Sequence, residues 1–305
     1  MPGELFYWVL NMSISTAFAG IIVLLLCKIK RLPRRIACFL WIIPYIRMTV
    51  PFGMGSRFSL MTLISKFTTR TVTIPGVPEE LGDLSITNHI MAANDYFPIT
   101  YTVNILAKVF DIGAIVWLIV ATALIIAFGI IYFITISELK NATLLRENIY
   151  ISEKITSPGV YGIFRHRIIL PVSYNENDLP YILMHERKHI GRADNLRRII
   201  AFIITAVHWF NPLAWVFLRE YLAQTELACD EAVLSGYDEN ERKRYALSLV
   251  NAAESREMFS SAFGGAKVRI RISRILSYKK LSVFSICAFT VLATTVTYVL
   301  ITNAV

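Results

Sequence analysis

Charged residues and cysteines are both scarce in this chain of 305 residues. Asp, Glu, Lys and Arg make up 17% of it, whereas soluble proteins carry about 25%. The four cysteines show no paired spacing, which excludes a disulfide framework and a zinc site built on cysteine pairs. Apolar residues take their place, at 55% of the chain with a mean hydropathy of +0.53. This composition predicts a membrane protein.

Three uncharged runs are long enough to cross a bilayer core of roughly 30 Å, which takes about 20 residues. They are 5–27, 112–137 and 281–305. A fourth run, 36–55, contains Arg47 and two prolines. We predict that it also spans, because Arg47 near one end can extend its charge to the interface. The first run has no basic residues before it, and it is longer than the apolar region of a signal peptide. It is therefore predicted to be a span.

The formal net charge of +9 is concentrated beside the predicted spans. Basic residues fill the link 28–35 between the first two spans and the stretch 267–280 before the last. The positive-inside rule places both stretches in the cytoplasm. The predicted divisions are spans one and two in 1–55, an extracellular loop 56–111, a span 112–137, a cytoplasmic domain 138–280 and a span 281–305. Both termini are then outside the cell. The basic residues are expected to bind the anionic lipid surface rather than to bind nucleic acid directly.

A predicted helix that begins near Asn177 or Asp178 carries the sequence HERKH at 185–189. His185 and His189 are four residues apart and share one helical face, the spacing at which two imidazoles bind one zinc ion. Glu186 then lies beside the open position and is predicted to be the catalytic base. The alternative is a pair of surface histidines on a charged helix.

A second predicted helix begins at Asn211 and Pro212 and ends at Ser235 and Gly236. Its carboxylates Glu226 and Asp230 are also four residues apart and share a face. Glu226 is predicted to be the third zinc ligand and Asp230 to orient a ligand histidine. Asp194 is a second candidate for that orienting role.

Alternatives remain for these acidic residues. Glu226 and Asp230 also fit a solvated acidic face, and Asp194 fits a helix-end residue paired with Arg197 or Arg198. Cys229 is predicted to be a packed thiol rather than a ligand.

Residues 199–218 form another uncharged run, but Asn211 and Pro212 divide it into pieces too short to cross a membrane. A crossing there would also place the histidines and Glu226 on opposite sides. We therefore predict a helical hairpin at the bilayer surface or against the spans, with His208 buried and hydrogen-bonded near its tip.

The segment 163–170 is short, contains β-branched residues and is followed by a proline, which predicts an edge strand. Such a strand can hold an extended peptide substrate by backbone pairing, so Ile163, Arg165 and His166 are candidate substrate-binding residues. Arg165, His166 and His208 are also candidates for stabilising the oxyanion of peptide hydrolysis.

Four segments together resemble a known family. They are SPGVYGIFRHRIILP at 157–171, HERKH at 185–189 followed by Asp194, HWFNP at 208–212 and ELACDEAVL at 226–234. They are similar to the antirepressor metallopeptidases, the bacterial β-lactam sensor-transducers of the penicillinase and methicillin-resistance systems. The resemblance implies a mainly α, four-span membrane protein whose cytoplasmic, membrane-associated domain is gluzincin-like and contains a small β-sheet.

The resemblance also implies one catalytic zinc ion bound by His185, His189 and Glu226, with Glu186 as base and Asp230 in support. The expected substrate is a cytoplasmic winged-helix repressor, and the expected self-cleavage site precedes the last span. Residues 258–265 are rich in Ser, Ala and Gly and lie between Glu257 and the basic stretch. Ser260, Ser261, Ala262 and Phe263 are the candidates there.

Characterised receptors of this kind continue into an external penicillin-binding domain, whereas this sequence stops at Val305. Either the sequence is truncated, or it is a family member without that sensor domain. Direct β-lactam sensing by this polypeptide is therefore not expected, and a signal would enter through the loop 56–111 or a separate sensor partner. A homodimer is a further candidate partner. Two other functions remain open. One is a general membrane-protein quality-control zinc protease of the HtpX kind. The other is a catalytically silent receptor or scaffold.

Overall fold

The computed structural model of the protein describes residues 2–29, 31–50, 55–60, 62, 104–254, 263–280 and 282–302. Within them, helices predominate and a small mixed sheet accompanies them, as predicted. In chain order the helices are α1 (Pro2–Cys27), α2 (Arg34–Leu40), α3 (Ile42–Thr49), α4 (Asn104–Glu138), α5 (Leu179–Gly191), α6 (Asp194–Val207), α7 (Pro212–Leu234), α8 (Glu239–Glu254), α9 (Phe263–Leu276) and α10 (Val283–Ile301). The strands are β1 (Thr143–Arg146), β2 (Ile149–Ser152), β3 (Gly159–Tyr161) and β4 (Arg167–Pro171).

Three of the described helices, α1, α4 and α10, are long and apolar enough to cross a membrane. α4 presents most of its surface outward, and large apolar side chains such as Ile119 and Ile131 are 62% and 64% exposed. Water would solvate this surface poorly, whereas acyl chains would cover it. The three apolar runs singled out in the sequence therefore correspond to three candidate spans.

The run 36–55 does not form one continuous helix. α2 and α3 are separated at Trp41, and α3 ends at Thr49. Pro44 lacks a backbone N–H and cannot donate to the carbonyl of Leu40, which interrupts the helical ladder at this point. Arg47 is buried rather than extended to an interface. Its guanidinium donates to the carbonyls of Leu300 and Thr302 at 2.8 Å each, at the end of α10.

The sheet has the strand order β1-β2-β4-β3. β4 pairs in parallel with β2 and antiparallel with β3, so it is an inner strand and β3 lies at the edge. The predicted strand at 163–170 is confirmed over 167–170, but its start is wrong and it is an inner strand rather than an edge strand. Gly162, with φ +91°, begins the turn that joins β3 to β4, and Phe164 in that turn is 91% exposed. Ile163, Arg165 and His166 therefore lie in a turn, not in a strand.

The helical hairpin predicted from the uncharged run 199–218 is present as α6 and α7, which meet at residues 208–211. Asn211 caps α7 by accepting from the N–H of Leu213, and Pro212 occupies the first turn. The hairpin packs on the spans. Trp117 of α4 donates to the carbonyl of Val207 at 2.7 Å, and Phe217 of α7 packs in one apolar core with α1, α2 and α3.

α8 and α9 pack on each other and close one side of the domain. Tyr245 of α8 and Ile275 of α9 are fully buried, and they share a second apolar cluster with Val233 and Leu234 at the end of α7. This packing carries Tyr245 and the neighbouring Arg271 of α9 towards α5. α5 in turn lies against α7 and β3, so α5, α7, α8, α9 and the sheet edge surround the candidate site.

Candidate metal centre

The two histidines predicted to bind zinc both lie on the buried face of α5. α5 begins after a short 3₁₀ turn at Glu176–Asp178, with Pro180 in its first turn, close to the predicted start. His185 and His189 are 7% and 6% exposed. Their Nε2 atoms are 3.1 Å apart. Two nitrogens bound to one tetrahedral zinc ion at about 2.0–2.1 Å lie roughly 3.3 Å apart, so the spacing fits a shared ion.

The partners of these rings fix which nitrogen carries a proton. His189 Nδ1 donates to Asp194 at 2.7 Å. Tyr245 donates its hydroxyl proton to Asp230 at 2.6 Å, so its oxygen accepts from His185 Nδ1 at 2.8 Å. In their neutral forms both rings then direct an Nε2 lone pair at the other, and Arg271 Nη2 also lies 3.4 Å from His185 Nε2. Two acceptors at this distance repel each other unless a cation or a proton lies between them, and this arrangement fits a metal ion.

Glu226 of α7 faces the same point. Its two carboxylate oxygens are 3.6 Å from His185 Nε2 and 3.7 Å from His189 Nε2. Arg198 of α6 donates to one of these oxygens at 2.5 Å, and Arg271 lies 3.7 Å from the other. The structure thus brings together His185, His189 and Glu226, the three residues that the sequence singled out as ligands.

Cys229 is a second residue of α7 near the histidines. Its Sγ and one nitrogen from each of His185 and His189 lie within 4.8 Å of one another. The thiol is fully buried and donates to the carbonyl of His185 at 3.4 Å. The donor set around the two imidazoles therefore offers either a carboxylate or a thiolate as third ligand, and both fit zinc.

Charge in the site favours a cation between the rings. Burial acts to lower the pKa of His189, but its hydrogen bonds with Asp194 and Cys229 outweigh this and raise the pKa to about 9. Burial opposes ionisation of Glu226 and Asp230, yet the nearby His185 and Arg271 hold the pKa of both carboxyls below their ordinary values. The carboxylates stay ionised around imidazoles that favour positive charge, which a divalent cation would supply.

A cavity of about 490 Å³ opens onto these residues. His185, Glu186, His189 and Glu226 line it together, so Glu186 shares the space where a substrate would meet the candidate metal. Gly159 and Val160 of the edge strand β3 form the opposite wall. A peptide of extended conformation fits between a strand edge and a catalytic helix.

Several residues proposed from the sequence lie elsewhere. Ile163, Arg165 and His166 are in the β3–β4 turn and are not among the residues that line the cavity. His208 is buried and donates from Nε2 to the carbonyl of Met48 at 3.0 Å, so the structure shows the buried, hydrogen-bonded histidine that was predicted. Ser260, Ser261 and Ala262 lie outside the described residues, and Phe263 is the first residue of α9.

Four residues at the site escaped the sequence analysis. Tyr245 links His185 to Asp230, and Arg271 binds both oxygens of Asp230 at 2.7 and 2.8 Å. Arg198 pairs with Glu226, and the Asn195 side chain donates to the carbonyls of Val160 and Gly162. The only available signals were the positions of Asn195 and Arg198 just after Asp194. Tyr245 and Arg271 have no motif of their own.

Three relatives among known proteins match parts of this chain. Regulatory protein BlaR1 of Bacillus licheniformis is 29% identical over 119 residues, which is 38% of this chain and 20% of that protein. Regulatory protein BlaR1 of Staphylococcus aureus is 29% identical over 165 residues, 48% of this chain and 28% of that protein. Methicillin resistance mecR1 protein of Staphylococcus aureus is 26% identical over 106 residues, 33% of this chain and 18% of that protein.

These matches span between 18% and 28% of the relatives' own lengths. The match to a model of the whole family covers more of this chain. The model of the family described as BlaR1 peptidase M56 matches residues 7–275, which include most of α1, the sheet and every residue of the candidate centre. The resemblance found in the sequence is thereby confirmed. The chain belongs to the BlaR1 peptidase M56 family of metallopeptidases.

Proposed function

We infer that this protein is a membrane-embedded zinc metalloendopeptidase that acts in signal transduction. One observation carries the proposal: two imidazole lone pairs converge at 3.1 Å beside Glu226, and Glu186 lines the same cavity. Buried lone pairs that face each other are costly unless a cation joins them. Membership in a metallopeptidase family and the three apolar helices supply the rest of the argument.

Each side chain then has a role in peptide hydrolysis. A bound zinc ion would supply a Lewis acid that polarises the scissile carbonyl. Glu186 takes the proton of the attacking water and delivers it to the leaving amine. Asp194 holds His189, and Asp230 holds His185 through Tyr245, so that both rings keep Nε2 free for the metal. Arg271 fixes Asp230 in turn.

We assign the third ligand to Glu226 rather than to Cys229. The two carboxylate oxygens of Glu226 lie 3.6 Å from His185 Nε2 and 3.7 Å from His189 Nε2. The buried Cys229 thiol donates to the backbone carbonyl of His185. Burial acts to raise its pKa, and although His185 and His189 outweigh this and lower the pKa, we assign the thiol to packing. Two histidines and one glutamate leave one position open for substrate, as in other catalytic zinc sites.

We place the substrate along β3 rather than along residues 163–170. Asn195 already bonds to the carbonyls of Val160 and Gly162, which therefore point away from β4. An extended peptide would exchange with this carboxamide or bind beside it at Gly159, which borders the cavity. Asn195 is in this proposal a positioning residue for the substrate.

We also propose that α2 and α3 together make a fourth crossing. Both contact α10, and the end of α3 meets the end of α10 through Arg47. The chain from 34 to 49 therefore runs beside a helix long enough to span. The basic links 28–35 and 267–280 then face the cytoplasm, as does the peptidase domain. Single cysteines at the exposed Lys28 and Arg57, in a chain whose four native cysteines are replaced, test this with a membrane-impermeant thiol reagent on intact cells, where only the second should react. Reaction of both or of the first alone would contradict it.

The proposed substrate is a cytoplasmic winged-helix repressor, with self-cleavage in 258–265 before the last span. Support comes from the resemblance and from the names of the relatives, which are regulatory and methicillin-resistance proteins. The deciding experiment measures zinc content and cleavage for the full chain in detergent, beside Glu186→Gln.

Stoichiometric zinc in both proteins, with repressor or self-cleavage by the wild type alone, is expected. Absence of zinc from both would refute the proposal. Broad cleavage of misfolded membrane proteins would favour a quality-control protease, and zinc without any cleavage would favour a silent receptor. The exposed Glu153→Gln is the matched control and should cleave like the wild type.

A further inference from the structure

A second cavity, of about 790 Å³, lies on the side of α5 that faces away from the candidate metal centre. Met184, Arg187, Lys188 and Gly191 of α5 line it, whereas His185, Glu186 and His189 line the other one. At 3.6 residues per turn these two sets occupy opposite faces of the helix. α2, α6 and α7 complete the walls of the second cavity.

The charged residues that line this cavity are all cations. They come from three separate elements and are Arg35, Arg187, Lys188, Arg192 and Arg197. Arg192 pairs with Asp194 at 3.4 Å. The other four form no ion pair with any carboxylate that the structure describes. Five cations around one cavity repel each other, and a bound anion would relieve that repulsion.

Apolar side chains border the same cavity. Phe39 is 52% exposed, Ile42 is 36% exposed and Met184 is 41% exposed, and all three line it. A small hydrophilic anion would leave this apolar surface in water. An amphiphile would contact both kinds of residue, with its phosphate among the cations and the start of its acyl chains on the apolar side chains.

The position in the fold matches that chemistry. α1 ends at Cys27, and Arg35 lies in the first turn of α2, only eight residues later. A helix that follows a span so closely begins at the membrane surface, where phospholipid headgroups lie. The cavity is therefore within reach of lipid without any unfolding of the domain.

We propose that this cavity binds the phosphate headgroup of an anionic membrane phospholipid, between the cations of α2, α5 and α6 and the apolar side chains of Phe39, Ile42 and Met184. The site differs from general attraction of basic residues to a membrane, because the cations are gathered around one cavity rather than along a surface. It is independent of whether the protein cleaves peptides.

The test uses the full chain in nanodiscs and native mass spectrometry of the detergent-released protein. The lipid probe is phosphatidylglycerol, compared with phosphatidylcholine. The variant Arg35→Gln/Arg187→Gln/Arg197→Gln removes three exposed cations from the cavity. Retention of phosphatidylglycerol should weaken by roughly 100-fold, given the contribution of each basic residue near an anionic membrane. The single variant Arg187→Glu should also weaken it, by repulsion of the phosphate.

A matched control separates the cavity from overall charge. Arg146→Gln/Lys154→Gln/Arg244→Gln removes the same charge from exposed positions on β1, between β2 and β3, and on α8. It should retain phosphatidylglycerol like the wild type. Equal losses in both triple variants would overturn the proposal, and so would equal retention of both lipids by the wild type. Saturable binding of inorganic phosphate that displaces the lipid at millimolar concentration would reassign the site to a free anion.

If the triple variant does not fold, the single variant Arg187→Glu still tests the proposal, because it changes only one exposed side chain. Folding is checked by thermal unfolding in the same detergent. If Arg187→Glu unfolds at the wild-type temperature and still retains phosphatidylglycerol undiminished, the proposal is overturned.

Discussion

The two faces of α5 are lined by charges of opposite sign, and these charges differ in how they are paired. On the metal side, Asp194, Asp230 and Glu226 surround the histidines, and each acidic side chain has a partner within the protein. On the basic side, exposed arginines and Lys188 line a cavity without a described carboxylate. A buried charge needs a partner within the protein, whereas water solvates an exposed charge until an external partner binds. A helix of 13 residues thus separates a site built from internal contacts from one open to solvent and lipid.

The largest expected effect on zinc comes from the third ligand. Glu226→Gln should lower zinc affinity by more than about 100-fold, since changes to groups that merely orient ligands already cost 10–100-fold. Cys229→Ala should change it by less than a few-fold. Competition with a chromogenic chelator measures both. The reverse result would make Cys229 the ligand and would leave the carboxylate to pair with Arg198.

The next effect tests one of the orienting carboxylates. Asp194→Asn removes the charged acceptor of His189 Nδ1 and should weaken zinc binding by roughly 10–100-fold. The same chelator competition applies. Asp238→Asn, on an exposed residue before α8, serves as the control and should bind zinc normally. Wild-type affinity in Asp194→Asn would show that the ring is held by packing alone.

A smaller effect is expected from Tyr245→Phe. The hydroxyl joins His185 to Asp230, but Asp230 Oδ1 also lies 3.3 Å from His185 Nδ1 and can take over part of the contact. Zinc affinity should fall by about 10-fold, at the low end of the range for orienting groups. Tyr237→Phe, which packs against the same ring, is the matched control. A loss as large as that of Asp194→Asn would mean that Asp230 cannot reach the imidazole.

The smallest effect connects the two faces. Arg192 lines the basic cavity and pairs with Asp194, which holds His189. Arg192→Gln should weaken zinc binding only about two- to five-fold, because a partly exposed ion pair contributes little. Arg244→Gln on α8 gives the baseline. A change above about 20-fold would show that the two faces are tightly coupled rather than separate.

Local patterns predicted much of this molecule. The spacing of His185 and His189, the cap at Asn211 and the apolar runs each depend on neighbours in sequence, and each appears in the structure at or near the expected place. The strand at 163–170 was predicted to start too early, because residues 163–166 contain no glycine or proline that would mark the turn. The positive φ at Gly162 and the exposure of Phe164 define that turn, and composition does not reveal them.

Contacts between distant segments could not be predicted. Tyr245 is 60 residues from His185, and Arg271 is 41 residues from Asp230. Nothing in the spacing of a lone tyrosine or of one arginine among many basic residues marks such partners. Likewise, the interruption at Trp41 follows from Pro44, but the burial of Arg47 depends on carbonyls at the far end of the chain. The metal ligands follow from motifs, whereas the groups that hold them follow from the tertiary fold.

The position of Arg271 has a consequence for the proposed cut in 258–265. α8 and α9 lie on either side of residues 255–262, and Arg271 crosses back to Asp230 from the second of them. While the chain is intact, the linker keeps the guanidinium at a high effective concentration near its carboxylate. After a cut, the same contact belongs to two polypeptides, and the piece with Arg271 keeps α10 as its own anchor. The lifetime of the assembled site would then depend on the dissociation rate of α9 from α7 and α8.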